Sequence, residues 1–222
     1  MKFFVALNCE SCGAKLASLA CGELTFPSEI CPECGATIHI VDPVTFSIVA
    51  SRLLLRGEAE LNNGDFTMPI ICGAMAVESA LTSLFLKWKK MEHDSLDRPT
   101  TATDREAWMS EYRVGTGRGG FAKSADFVSR YVTQESFDVF VTHSQATSTL
   151  TSGSYAGVRN IQGELFDKRN LIMHWGEVNH ERTDAEKALS AARTAFALLG
   201  VMDKRRAAEL QRKMRESLKS KA

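Results

Sequence analysis

The sequence predicts a mainly α protein, a helical bundle preceded by a small β-rich module with paired cysteines. Three observations predict it. Two C-x-x-C pairs, "CESCG" and "CPECG", lie within the first forty residues. From Pro43 onward, apolar residues recur at helical spacing over several long stretches. "TDAE", Thr183 to Glu186, has the form of a capping box and opens another amphipathic segment. These observations divide the chain into residues 1–42 and 43–222.

The first module is defined by its cysteines. Cys9, Cys12, Cys31 and Cys34 form two pairs separated by eighteen residues. That is four-thiolate zinc spacing, because a two-residue gap lets both sulfurs of a pair reach one ion at about 2.3 Å. Gly13 and Gly35 follow the pairs, where the chain must turn sharply. The arrangement resembles a zinc ribbon, so zinc is expected as a structural ion. "ATIHIV" alternates and is β-branched, as a closing strand would be. His39 lies on it and is not needed as a ligand, since four thiolates complete a tetrahedron. Cys21 and Cys72 read as small buried thiols.

Charge bears on what the module can bind. The whole chain has a formal net charge of zero, with 44% apolar and 24% charged residues, as expected of a globular protein. Residues 1–43 hold Lys2 and Lys15 against Glu10, Glu23, Glu29, Glu33 and Asp42. Four thiolates on zinc add about two negative charges. Phosphate would be repelled there, so the ribbon is expected to be structural or to dock a protein partner. The tail "DKRRAAELQRKMRESLKSKA" is the opposite, with 8 Lys and Arg against 3 Asp and Glu. It reads as a basic C-terminal helix, either packed on the bundle or reaching phosphate. "FFVAL" is too short for a secretory signal, and no apolar run approaches the ~20 residues of a membrane span. The expectation is a soluble, cytoplasmic protein with no membrane partner.

The body reads as successive helices. "VTFSIVASRLLLRGEAEL" is stopped by "NNGD". The next stretch places Ile70, Ala74, Val77, Leu81, Leu84 and Trp88 on one stripe, with Pro69 in the first turn. Glu78 lies within about 60° of Ala74 and Leu81, at the stripe's edge. It is either an exposed glutamate or the partner of a cation in a functional site. Residues 93–123 look like an insertion: a loop, two or three helical turns, then the flexible loop "GTGRGG". That loop formally matches a dinucleotide fingerprint but lacks the surrounding βαβ unit. "FAKSADFVSRYV" is helical and could run on into "FDVFV"; a Ser/Thr-rich connector follows. His93 and His143 read as surface residues. P-loop, H-E-x-x-H and G-x-S-x-G motifs do not occur, which lowers those enzyme classes.

"RNLIMHWG", Arg169 to Gly176, closes the next helical stretch. After "TDAE", the last amphipathic helix carries Ala185, Leu189, Ala192, Phe196 and Leu199 on one face, and Gly200 is a plausible stop. Residues 44–200 resemble a HEPN domain. "ASRLLLRGEAELNNGDFTMPIICGAMAVESAL" is similar to that family's opening helix pair, with an acidic residue in the second helix. "RNLIMHWG" is similar to its Arg-polar-x-x-x-His motif. The insertion and the ribbon fall outside the family pattern.

The resemblance implies metal-independent RNA cleavage by a homodimer, with two copies of the motif at the interface. Toxin–antitoxin or antiviral roles are common in such proteins. Carried onto this chain, the catalytic set is Arg169, Asn170 and His174, with Glu78 as the acidic partner. The chemistry is coherent. Histidine titrates near neutrality and can move the proton of a ribose hydroxyl. Arginine can hold phosphate against developing charge. Five residues separate Arg169 from His174, so an ideal helix sets them about 140° apart. Either the helix ends or distorts between them, or a second chain completes the site. His180 is a candidate accessory base or an ordinary loop histidine. The alternative reading is a non-catalytic adaptor that binds a protein or nucleotide.

Overall fold

The computed structural model describes residues 6–8, 15–18, 43–94, 100–117, 120–146 and 161–219. The chain falls into two units, Met1–Val44 and Thr45–Ala222. In the first, strand β1 (Ala6–Asn8) pairs antiparallel with β2 (Lys15–Ser18). Ala6 opposes Ser18 and Leu7 opposes Ala17, with an irregularity between Leu7 and Asn8. Cys9, Cys12, Cys21, Cys31, Cys34 and the expected strand at 36–41 lie outside the described residues.

The second unit is a helical bundle. Helix α1 (Pro43–Asn62) ends at the predicted "NNGD", where Gly64 adopts φ +86°. Asp65 then accepts the amides of Thr67 (2.8 Å) and Met68 (2.9 Å), supplying the acceptors that open α2 (Met68–Asp94). The predicted stripe of α2 is buried throughout, from Ile70 to Trp88, and Cys72 is a buried free thiol as expected. Burial pushes that thiol's pKa up. Helices α3 (Ala102–Thr116), α4 (Gly120–Thr133) and α5 (Phe137–Ala146) follow. A π-helical stretch, Gln162–Asp167, runs directly into α6 (Lys168–Trp175), and α7 spans Arg182–Lys219. Helix α2 packs chiefly on α7 and α4. Phe121, Phe140, Leu165, Phe166 and Leu189 complete a core with Ile70 and Phe85.

Several expectations change. By length and composition α2 is apolar enough to cross a membrane, contrary to the reading that no run approaches that length. Most of it is buried within the bundle, as in the core helix of a globular protein. The two or three helical turns expected within 93–123 are the longer helix α3, which is capped and packs on α2 and α4. Thr101 and Asp104 form a reciprocal capping box at the start of α3. Tyr112 and Phe127 flank Phe85, with ring centroids at 5.5 and 5.4 Å. The expected loop at 115–120 is correspondingly shorter. Gly115 is helical, and a Cβ there would sit 2.1 Å from the Phe127 ring. Helices α4 and α5 are separate, because Gln134 takes φ +64° between them.

His93 is also mostly buried, edge-on to Trp108 and 3.8 Å from Asp104. The opening of α7 is capped differently from the prediction. Asp184, not Thr183, closes the first turn, accepting the Glu181 amide at 3.2 Å. Gly200 does not stop α7. Beyond it Met202 is buried, and Asp203 binds Lys87 and the Trp88 indole N–H. Those contacts outweigh the roughly 1 kcal/mol that a mid-helix glycine costs.

Candidate functional site

The motif residues Arg169, Asn170 and His174 all stand on α6. This helix is regular from Lys168 to Trp175. Gly176, at φ +66° and ψ +25°, ends it in the left-handed region and donates its N–H to Ile172 at 3.1 Å. The helix therefore ends after His174 and not between His174 and Arg169. The two remain about 140° apart, on different faces.

Arg169 turns toward α2, where it forms an ion pair and hydrogen bond with Glu78. Its side chain is about three-quarters shielded, and its guanidinium lies 5.7 Å from the Phe166 ring centre. Glu78 is more open, its side chain about half-exposed. Of the two readings open for Glu78, partner of a cation describes its contact. Asn170 is half-buried on the arc between Arg169 and His174. His174 is exposed, and it makes no hydrogen bond among the described residues.

The residue before the arginine supplies a support that the motif does not announce. The Lys168 ammonium bonds Glu164 one turn back (3.0 Å) and Asp184 on α7 (2.7 Å). Burial pulls the Lys168 pKa down, but the bonds to Asp184 and Glu164 outweigh it and raise it. The Asp184 carboxyl is held below its usual range by Lys168 first and the Glu181 amide second. This clamp ties the first turn of α6 to the first turn of α7. Thr67 adds a weak hydroxyl bond to the Val178 carbonyl at 3.4 Å. His180 within the connection is half-buried, and its Nε2 is shielded without a hydrogen bond among the described residues.

A second feature was visible in "NLIMHWGEV" only as an excess of apolar letters. Trp175 is 82% exposed, Val178 66%, Met173 60% and Leu171 40%. The exposed His174 therefore lies between two exposed apolar neighbours in the chain, Met173 and Trp175. On an ideal helix Met173 follows Arg169 on one flank, while Leu171 and Trp175 share the other.

Among the described residues, no group of His, Cys, Asp and Glu is arranged to hold a metal ion. Cys9, Cys12, Cys31 and Cys34 are outside that set. Comparison with family models, curated proteins and solved structures finds no match to this chain.

Proposed function

We propose that this chain is a metal-independent endoribonuclease of HEPN type that works as a cytoplasmic homodimer. The observation that supports the reading best is the Arg169–Glu78 pair on the same short helix as an exposed His174, with Met173 and Trp175 exposed on either side of that histidine in the chain. In one copy, Arg169 and His174 face apart. A second copy packed against α6 would cover its exposed apolar side chains and bring one chain's arginine toward the other's histidine.

In this reading the RNA phosphate replaces Glu78 as the partner of Arg169. His174 removes the proton from a ribose 2′-hydroxyl. The 2′-oxygen attacks phosphorus, and the bond from phosphorus to the 5′-oxygen breaks. A proton from the second copy's His174 passes to that leaving oxygen. The products are a 2′,3′-cyclic phosphate and a 5′-hydroxyl. Asn170, between the two faces, orients the phosphate. No reacting group calls on the zinc proposed for the first module. There the four thiolates of Cys9, Cys12, Cys31 and Cys34 suit the ion, and the first pair falls in the short connection between β1 and β2.

One observation favours a non-catalytic adaptor instead. Around the motif, Glu164, Asp167, Glu177, Glu181 and Asp184 outnumber Lys168, Arg169 and Arg182. That balance and the exposed Trp175 suit a protein partner better than a polyanion. Incubation of purified protein with mixed RNA, with and without chelator, separates the readings. Cyclic-phosphate ends from wild type and none from His174→Ala are the expected result. Equal cleavage by both proteins removes His174 from the role, and intact RNA together with a stoichiometric protein partner favours the adaptor.

A further inference from the structure

The basic tail is not absorbed by that site, and its position on α7 is informative. Helix α7 is continuous from Arg182 to Lys219, but only its first part is packed. Met202 is the last fully buried residue along it, and Ala207 still leans on the core. Gln211, Arg212, Lys213, Arg215 and Glu216 are all exposed, so the helix runs clear of the bundle.

The cations of this segment differ in what holds them. Arg205 makes two bonds to Glu135 on the α4–α5 connection, and Arg206 reaches Glu92 of α2. These two fasten the helix to the bundle. Lys213 and Arg212 have only partners on their own helix, Glu209 and Glu216. Such exposed pairs exchange readily, being worth about 0–1 kcal/mol. Lys204 and Arg215 are exposed and have no ion pair among the described residues. At 100° per residue, Lys204, Arg215 and Arg212 fall within an arc of about 80°, roughly opposite the buried side of α7. They form a cationic stripe facing solvent.

We infer that this stripe, Lys204 with Arg212 and Arg215, is a tethering site for the phosphate backbone of single-stranded RNA. Charge complementarity selects the occupant. The arm is the chain's most positive segment, while acidic residues outnumber basic ones in the sequence around the motif. The inference rests on the ribonuclease reading for its choice of RNA. Along α7 Lys204 lies about 30 Å from Asp184 and Arg212 about 42 Å, at 1.5 Å per residue. A stacked strand rising about 3.4 Å per nucleotide needs about 12 nucleotides to cover the longer distance. The arm therefore raises the local concentration of long RNA and does not touch the reacting bond.

The test measures binding of a fluorescein-labelled 30-nucleotide single-stranded RNA to the full chain, by anisotropy across a salt series. His174→Ala serves as the background so that no substrate is consumed. Adding Lys204→Gln, Arg212→Gln and Arg215→Gln should weaken binding at least 10-fold at low salt. It should also flatten the slope of log affinity against log salt by about 2, the value for three phosphate contacts on a single strand. Unchanged affinity and slope overturn the proposal. Binding of the arm to phosphatidylserine vesicles, with RNA affinity untouched by the three substitutions, also overturns it. Circular dichroism of the triple variant checks that α7 is retained, and Lys→Arg with Arg→Lys exchanges at the same positions should restore binding. Cleavage is not part of the readout, so failure of the arm and failure of the active-site reading are separate results.

Discussion

Glu78 and Arg169 stand ninety-one residues apart in the chain and meet across the seam between α2 and α6. The pair occupies one flank of α6 and leaves His174 on another. If Arg169 is the phosphate-holding group, Glu78 keeps it extended along the seam until substrate arrives. Glu78→Gln should therefore lower cleavage roughly 10- to 100-fold through misplacement of the guanidinium. Stability should change by about 0.5 kcal/mol or less, because the glutamate is half-exposed. Arg169→Lys keeps the charge but loses the planar fork, and should be at least as damaging. Urea midpoints beside initial rates check this. A large loss of stability with unchanged turnover would make the pair purely structural.

The Lys168–Asp184 clamp gives a pH-dependent expectation. Asp184 has a lowered folded-state pKa, so its contribution is present above the unfolded value of about 3.9. It is lost as pH falls through the folded pKa. Lys168 is raised, so its contribution is present below its unfolded value of about 10.4 and is lost as pH rises through the folded pKa. Between these limits the clamp is intact and the dependence is flat. Asp184→Asn should cost about 1 kcal/mol or less at pH 7, since it removes the ion pair with Lys168 while the amide oxygen can still accept the Glu181 N–H. The gap from wild type should close below about pH 4. Denaturant titrations at pH 7 and pH 3 measure it. A constant gap would remove the carboxylate charge from the account.

What could be read from the sequence followed from local rules. The α2 stripe, the stop at "NNGD" and the end of α6 at Gly176 each rest on side-chain periodicity or on one residue's backbone freedom. Glu78 was legible as an anomaly because a carboxylate at the edge of an apolar stripe calls for a partner. Its partner, Arg169, was legible only through the motif. What the sequence did not yield depends on neighbours distant in the chain. Gly200 looks like a terminator until Asp203 is seen bound to Lys87 and Trp88. "GTGRGG" looks like a mobile loop until Phe127 fills the space above Gly115. Lys168 is one lysine among many until Asp184 is placed against it.

Asp203 is the residue that carries α7 beyond Gly200. It accepts two bonds from Lys87 and one from the Trp88 indole at 3.0 Å. Asp203→Ala leaves an ammonium and a buried indole N–H without that acceptor. The expected cost is about 1–3 kcal/mol. A urea titration measures it, and near-ultraviolet circular dichroism should report a change around Trp88. A neutral substitution would mean that water replaces the carboxylate without penalty.

Two glycines in helices should respond to alanine in opposite directions. At Gly115 the new methyl would meet the Phe127 ring, whose nearest atom lies 2.1 Å from the Cβ position. The ring is packed between Phe85 and Tyr112 and has little room to move. Gly115→Ala should therefore destabilise by about 1–3 kcal/mol, the usual cost of overpacking. At Gly200 nothing lies within 4 Å of the Cβ position, and the backbone is helical with exposed surroundings. There alanine removes conformational freedom from the unfolded chain and adds no clash. Gly200→Ala should stabilise by about 0.5–1 kcal/mol. Urea midpoints at equal slope measure both. If Gly200→Ala destabilises the protein instead, the freedom of the glycine backbone is used at that point of α7.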